Sequence, residues 1–292
     1  MKSSELRNEA TIRPVLAAIL GVTLFAVLDA LIKIIATAYP IAQATGMRYA
    51  AGALVAVGFY CAVERKPPEK GAVYRSLPRS LANLLAGTCF FLAISRLPLV
   101  DAVTLSFLSP LFLSFWAWLL LGETPKLGTV VAILVGLIGV AFVARGQIDS
   151  TAAGFDLIGF SAGIATPALY AVSMILTRKN SAKDSVPVLV LLPSVIGAIM
   201  SAPLMVTSWQ SVQAWHYAVL LLVGIFGTAG YLCLTWAYSN ARVERLGLLD
   251  YTGLLWGALF GYFLFSETPS IWTMCGAALI IGACVPAFLK KG

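Results

Sequence analysis

Ten apolar runs, each near the length of a bilayer-spanning helix, occupy almost all of this 292-residue chain. They lie close to residues 14–36, 41–63, 80–96, 99–121, 127–144, 155–177, 186–207, 216–238, 245–265 and 271–289. A hydrocarbon core about 30 Å thick is crossed by about 20 residues of α-helix. Inside it, backbone N–H and C=O groups find no water and must be paired within the structure, so runs of this length are expected to be helical. The chain is therefore expected to be an all-α membrane protein with ten transmembrane helices. Composition agrees, with 60% of residues apolar and 11% charged, against about 25% charged in soluble domains. The third run is short and carries Asn83, and the longest polar stretch, Glu64 to Arg79, reads as a connector. A basic start (Lys2, Arg7, Arg13) looks superficially like a secretory leader. No small-x-small cleavage site closes the run that follows, which continues through Asp29 and Lys33, so it reads as an uncleaved first span.

The basic residues orient these spans. With a cytoplasmic N-terminus and ten crossings, 16 of the 20 Lys and Arg fall in inner segments. Only Arg96 and Arg145 fall outside, while Lys33 and Arg48 lie within spans. Such a bias follows the positive-inside rule. Both termini are expected to face the cytoplasm, with the cell inner (plasma) membrane as the location. The net charge of +7 thus reports orientation, and nucleic acid is set aside as a partner because no aromatic interleaving or binding motif accompanies it. The five cysteines lie inside apolar runs without CxxC or His partners and read as packing thiols. His216, the only histidine, lies at a span end. No ATP-binding loop, zinc-type His-Glu helix or nucleophile elbow is present, so no cofactor or metal is expected, and energy must come from a gradient or exchange.

A repeat divides the chain. Leu121-Gly122-Glu123-Thr124-Pro125 closes the fourth run and Phe265-Ser266-Glu267-Thr268-Pro269 closes the ninth, 144 residues later. At the same offset Ala93, Ser95 and Leu120 match Ala237, Ser239 and Leu264, while Phe25-Ala26 with Lys33 matches Tyr170-Ala171 with Arg178 at 145. Two halves, 1–146 and 147–292, are expected to hold five spans each. Five is odd, so the second half enters the bilayer from the opposite side, giving two inverted five-helix repeats. Inverted repeats characterise many secondary transporters, whose substrate site lies near the midplane between them.

The residues that carry a family resemblance are Ser109-Pro110-Leu111-Phe112, Gly122-Glu123-Thr124-Pro125, Gly136 and Gly139 in the first half. In the second they are Leu249-Asp250-Tyr251, Glu267-Thr268-Pro269, Gly276 and Gly282. This pattern resembles the drug/metabolite transporter superfamily, EamA type, over nearly the whole chain. The resemblance implies a ten-helix secondary transporter moving a small polar organic metabolite across the lipid bilayer by alternating access. Asp29-Ala30 with Lys33, Pro40 and Arg48 is similar to branches that include S-adenosylmethionine and riboflavin carriers. Cargo is therefore expected among amino acids, S-adenosylmethionine and riboflavin-like molecules. A different class, an intramembrane acyl or glycosyl transferase, usually needs convergent His, Asp or Glu at one interface. A receptor or assembly subunit is a third class, which the inverted repeat disfavours.

Charged and polar groups inside spans are the candidate substrate-binding or gating residues, because a charge in lipid costs roughly 2.5–3.5 kcal/mol on insertion scales. Asp29 and Lys33, four apart, share a helix face and can pair. Arg48 is expected at the same depth on the next span, so the three read either as a site for a zwitterionic or anionic group or as a self-neutralised packing cluster. Thr166, Tyr170, Ser173 and Thr177 share one face of the sixth span, and Thr228, Tyr231, Thr235 and Tyr238 one face of the eighth. These hydroxyl stripes face either a wet cavity or a dry interhelical interface. Trp256, among several aromatics, can stack on a flat ring of the cargo. Gly253, Gly257 and Gly261 make a strip for close helix approach, and Pro110, Pro167 and Pro193 are expected to kink their spans. In each Glu-Thr-Pro the Thr is expected to cap the following helix and the Glu to lie near its positive end.

Overall fold

A computed structural model of the chain describes residues 2–64, 66–121, 127–150, 155–180, 183–240 and 252–289, some of them, including 235 and 238, only as backbone. Eleven helices account for nearly all of them. In order they are α1 (Lys2–Ala38), α2 (Ile41–Val63), α3 (Lys70–Arg96), α4 (Leu99–Ser106), α5 (Ser109–Leu121) and α6 (Leu127–Ser150). The second half follows with α7 (Leu157–Asn180), α8 (Val186–Thr207), α9 (Ala214–Asn240), α10 (Thr252–Phe265) and α11 (Ile271–Leu289). Among the described residues there is no strand. Six helical segments are long and apolar enough to cross a membrane, and Leu99–Leu113, Ile133–Ile148, Thr252–Phe265 and Ile271–Ala283 are shorter apolar helices.

Three differences from the sequence reading bear on function. First, the third helix begins at Lys70, so Arg75, Ser76 and Arg79 are helical rather than part of a connector. Second, the fourth run is broken. Pro110 has no N–H to donate, and the chain tightens just before it, with Phe107 and Leu108 donating to the carbonyls of Thr104 and Leu105 at 3.2 and 3.1 Å. Third, the ninth run is described only from Thr252, so Leu249-Asp250-Tyr251 lies outside the described residues, as does Gly122-Glu123-Thr124-Pro125. Pro167 and Pro193, by contrast, lie within continuous helices.

The outward surface is strongly apolar. Leu54, Leu157, Phe263 and Ile271 are each about 70% exposed, the reverse of a soluble protein and the state expected where lipid is the solvent. Inside, the pairing of helices is reciprocal between the halves: α1 packs on α9 as α7 packs on α3, α2 on α9 as α8 on α3, and α1 on α10 as α7 on α5. The pairs α2–α8 and α6–α11 complete the bundle. We call the end of the bundle at which α1 finishes distal, and the end at which α2 finishes proximal.

Close crossings rest on glycine. At the α6–α11 crossing, a Cβ on Gly139 would meet the Gly276 carbonyl at 2.9 Å, and one on Gly276 would meet the Gly139 carbonyl at 2.7 Å. Backbone cannot yield as a flexible side chain can, so neither position has room for a methyl group. The Gly253, Gly257 and Gly261 strip faces Phe107, Val103 and Leu99 in turn, where α10 packs on α4. Gly276→Val is expected to destabilise the protein by about 1–3 kcal/mol through overpacking, read as a lowered melting temperature in detergent, while Gly282→Ala, with nothing within 4 Å of an added Cβ, leaves it unchanged.

Candidate functional site

Polar groups gather at three levels of the bundle. At the centre, the Arg48 guanidinium lies in a notch between two helices: a Cβ on Gly52 of α2 would stand 2.7 Å from Nη1 and one on Gly227 of α9 2.9 Å from Nη2. Its Cζ sits over the Tyr49 ring, 5.9 Å from the centroid. Tyr49 is in turn fixed by α3, its hydroxyl donating to the Asn83 carbonyl at 2.8 Å and accepting from Asn83 Nδ2 at 3.2 Å. Asp29 on α1 and Arg48 are each half-buried and within electrostatic reach of each other. Neither makes a hydrogen bond or direct ion pair with another described residue. Among the described residues, the Arg48 guanidinium and the Asp29 carboxylate are thus linked to each other by charge alone.

Lys33 does not join them. Its Nζ turns distally, donating to the Leu97 carbonyl at 2.8 Å and pairing with Glu267. An i,i+4 partner on its own helix is outcompeted here because Leu97 caps α3, where carbonyls at the negative end of a helix dipole attract an ammonium. Glu267 is bound from both sides, since Oε2 accepts the Leu99 N–H at 2.8 Å and so caps α4. Its place is set by a turn: Ser266 has φ 56°, and the Glu267 N–H reaches back past it to the Gly261 carbonyl, six residues earlier, at 2.9 Å. Ser270, not Thr268, caps α11, accepting from the Thr273 N–H at 3.0 Å. Beside this pair Asp101, 2% exposed, accepts from Thr273 Oγ1 at 2.7 Å.

Further distal bonds join the halves. The Tyr39 hydroxyl bonds His216 Nδ1 at 2.7 Å and accepts the Gln213 N–H at 3.0 Å. Gln43 makes two bonds of 2.8 Å with the backbone of Gln210. Arg96 pairs with Asp156 at 3.2 Å, and the Gly159 N–H, ahead of Arg96, holds the Asp156 carboxyl below the usual carboxylate range. At the proximal end Arg75 meets Asp184 at 2.5 Å and Ser185 donates to Glu64 at 2.5 Å.

The two hydroxyl stripes part company. Thr166 and Thr177 return their hydrogens to the carbonyls of Ala162 and Ser173, and Tyr170 is 44% exposed. Ser173 donates to the Arg79 carbonyl at 3.3 Å, and Tyr231 lies within electrostatic reach of the Arg79 side chain, so one residue of each stripe converges there. Arg79 itself, expected as a charge in the connector before the third span, is 1% exposed. The side chains of Thr235 and Tyr238 lie outside the described residues. Trp256 stacks on Phe260, with ring centroids 5.7 Å apart, away from these clusters. The sequence reading assigns Glu267 only to the end of its following helix, through the repeated Glu-Thr-Pro, and does not single out Asp101 or Arg79 as site residues; an acidic residue at the edge of an apolar run is the signal for Asp101.

A bundle of apolar helices with charges turned to its interior matches a family model described as the EamA-like transporter family, over residues 12–145 and again over 157–289. The chain belongs to that family. This EamA-like protein is similar to the pseudopaline exporter CntI of Pseudomonas aeruginosa, with 27% identity over 285 residues that cover 95% of this chain and 97% of the exporter. It is also similar to a riboflavin transporter of Brucella anthropi (28% identity, covering 65% and 68% of the two chains). An S-adenosylmethionine uptake transporter of Rickettsia bellii is 24% identical, covering 70% and 69%. One solved protein structure shares the fold, with a TM-score of 0.60, 23% identity and 97% of both chains covered. The EamA-like chain is thus a multi-pass membrane transport protein of the drug/metabolite class.

Lys33→Ala and Glu267→Ala are each expected to cost about 3–5 kcal/mol, because either leaves the other charge stranded in the interior. The double variant Lys33→Met/Glu267→Gln should recover most of that loss. Thermal unfolding of the detergent-solubilised protein reads both, and a double variant no more stable than the singles would show that the pair does not act as a unit.

Proposed function

We propose that this protein is a secondary carrier for a small polar organic metabolite that bears opposite charges, and that Asp29 and Arg48 bind those charges midway through the bilayer. The observation that carries this reading is the unengaged state of both groups beside a fully satisfied Lys33. Both groups are half-buried charges that no described residue hydrogen-bonds, so they can take up a ligand's opposite charges without first giving up a protein partner. The Tyr49 ring beneath the guanidinium and the glycine notch around it keep Arg48 from folding away. Amino acids and S-adenosylmethionine present an ammonium and a carboxylate; riboflavin-like molecules, which lack that pair, are the alternative cargo. The names of the relatives, which speak of pseudopaline, riboflavin and S-adenosylmethionine, support cargo of this size.

Alternating access between two inverted five-span repeats is the proposed mechanism. Reciprocal helix pairing supports it, because exchanging the conformations of two like halves converts one access state into the other. The distal bonds of Lys33, Tyr39 and Gln43 then separate in one half of the cycle, and the proximal bonds of Arg75 and Glu64 in the other. Orientation with both termini in the cytoplasm of an inner membrane follows the positive-inside bias.

Counterflow into proteoliposomes across a panel of amino acids, S-adenosylmethionine and riboflavin tests the carrier. Saturable uptake of at least one solute is expected, and Asp29→Asn and Arg48→Gln should each lower it at least about tenfold, the equivalent of one lost charged hydrogen bond, with insertion unchanged. No moving solute would sink the carrier, and wild-type rates in both variants would sink the site. Inversion has its own check. In a cysteine-free background, Lys66→Cys and Ser211→Cys should react with an impermeant maleimide from opposite sides of the membrane; labelling from one side would overturn the repeat topology.

A further inference from the structure

The proximal part of α3 carries polar groups that nothing above uses. Ser76 and Ser80 are 0% exposed and Arg79 1%. Positions 76, 79 and 80 share one helix face. Both serine Oγ atoms and Arg79 Nε are buried without a hydrogen-bond partner, while Arg79 Nη2 donates to the Leu189 carbonyl of α8 at 3.1 Å. Thr104, Thr166 and Ser201, buried elsewhere in this bundle, turn back to the carbonyl one turn earlier, while Thr45 Oγ1 has no partner. Ser76 and Ser80 forgo that easy bond. Three adjacent unsatisfied groups are rare in a folded interior.

The surroundings say what would satisfy them. Asp184, just before α8, bonds Arg75 through Oδ1 and lies within electrostatic reach of Arg79, while its Oδ2 is buried and unpartnered. Arg75 and Arg79 are one turn apart, so the Asp184 carboxylate already sits within reach of two guanidinium groups. The repeat supplies a control. At the 144-residue offset, Ser76, Arg79 and Ser80 correspond to Leu220, Val223 and Gly224, and Leu220 and Val223 are buried at 8% and 0%. The same helix thus packs in the other half with no polar group at these positions, so packing does not call for them.

We propose that Arg79, Ser76 and Ser80 form a second recognition site, near the proximal mouth, for the carboxylate or phosphate group of an anionic metabolite, with Asp184 as the resident carboxylate that an arriving anion replaces. Arg79 supplies the charge and a free Nε–H, and the two hydroxyls donate to the remaining oxygens. The purpose of the site rests on the carrier reading, as the place where cargo is held before it reaches Arg48. The binding itself does not rest on that reading.

Its test is equilibrium binding by the full chain in nanodiscs, read from the melting transition of its seven tryptophans. Sodium phosphate and sodium succinate are titrated against sodium chloride at equal ionic strength. Phosphate, succinate or both should raise the melting temperature where chloride does not, and which one responds identifies the group recognised. Asp184→Asn should respond at about tenfold lower concentration, since the competing carboxylate is gone. Arg79→Gln should lose the response, and Ser76→Ala/Ser80→Ala, which keeps the helix and its charge, should weaken it about tenfold. A response equal to that of chloride in both wild type and Asp184→Asn overturns the proposal. So does an anion response that survives the double serine variant undiminished, which keeps the test decisive if Arg79→Gln does not fold. Counterflow with no anion response removes this site and leaves the carrier, whereas an anion response without counterflow removes the carrier and leaves the site.

Discussion

The solvent around this protein makes no hydrogen bonds over most of its surface, and that one constraint arranges the rest. Backbone groups are closed off within helices. Small hydroxyls follow the same logic by returning to the carbonyl one turn back, as Thr104 and Thr166 do. A charge cannot be disposed of locally. It turns inward, and its fate there separates structural groups from available ones. Lys33 finds a carbonyl and a carboxylate and is used up. Arg48 finds neither among the described residues.

The contacts between the halves repeat in position but not in chemistry. The link between α1 and α2 bonds the start of α9 at the distal face, through Tyr39 with His216 and Gln213. The link between α7 and α8 bonds the start of α3 at the proximal face, through Asp184 and Arg75. Tyr39 and Asp184 are 145 residues apart and Arg75 and His216 are 141 apart, close to the repeat offset, so the two links make neighbouring contacts at unlike mouths. One is a dry, uncharged bond, with Tyr39 8% and His216 3% exposed. The other is an ion pair whose Arg75 side chain is 30% exposed, and water that reaches such a pair rehydrates both charges and repays much of the cost of separating them. Under the proposed mechanism the two mouths therefore open against different resistances, and the fold alone does not make the cycle symmetric.

Helical class and the reach of most runs were plain from the sequence because apolar length is a local property. The start of α3 was not. Lys70 to Arg79 reads as polar loop, and it is helical where Arg79 docks on the Leu189 carbonyl and Ser173 on the Arg79 carbonyl, contacts with residues about a hundred positions away. Asp29 and Arg48 stood out as charges in apolar runs, and the matching depth inferred for them is consistent with their electrostatic reach. The partner of Lys33 was hidden for the opposite reason. Glu267 sits in a turn whose motif suggested capping of its own neighbour, and the positive-φ bend at Ser266 instead sends its carboxylate to α4 and α1. Local pattern finds which residues are out of place in lipid, while pairing between halves decides which of them remain open.

Glycine connects these levels. At Gly139 and Gly276 it brings two backbones together to hold the bundle. At Gly52 and Gly227 the same absence of a side chain faces a guanidinium instead of a helix. A methyl group at either position would stand within 3 Å of Arg48 nitrogen and force the side chain to move. The notch therefore fixes Arg48 without spending its hydrogen bonds, since van der Waals contact on two sides and an aromatic ring beneath restrict the group while its donors stay open. A protein that needed Arg48 only as glue would have given it a carbonyl or a carboxylate, as it gave Lys33. Holding a charge by shape and leaving its bonds unmade keeps it ready for an ion that arrives and leaves, because each bond the cargo makes is one the protein did not first have to break.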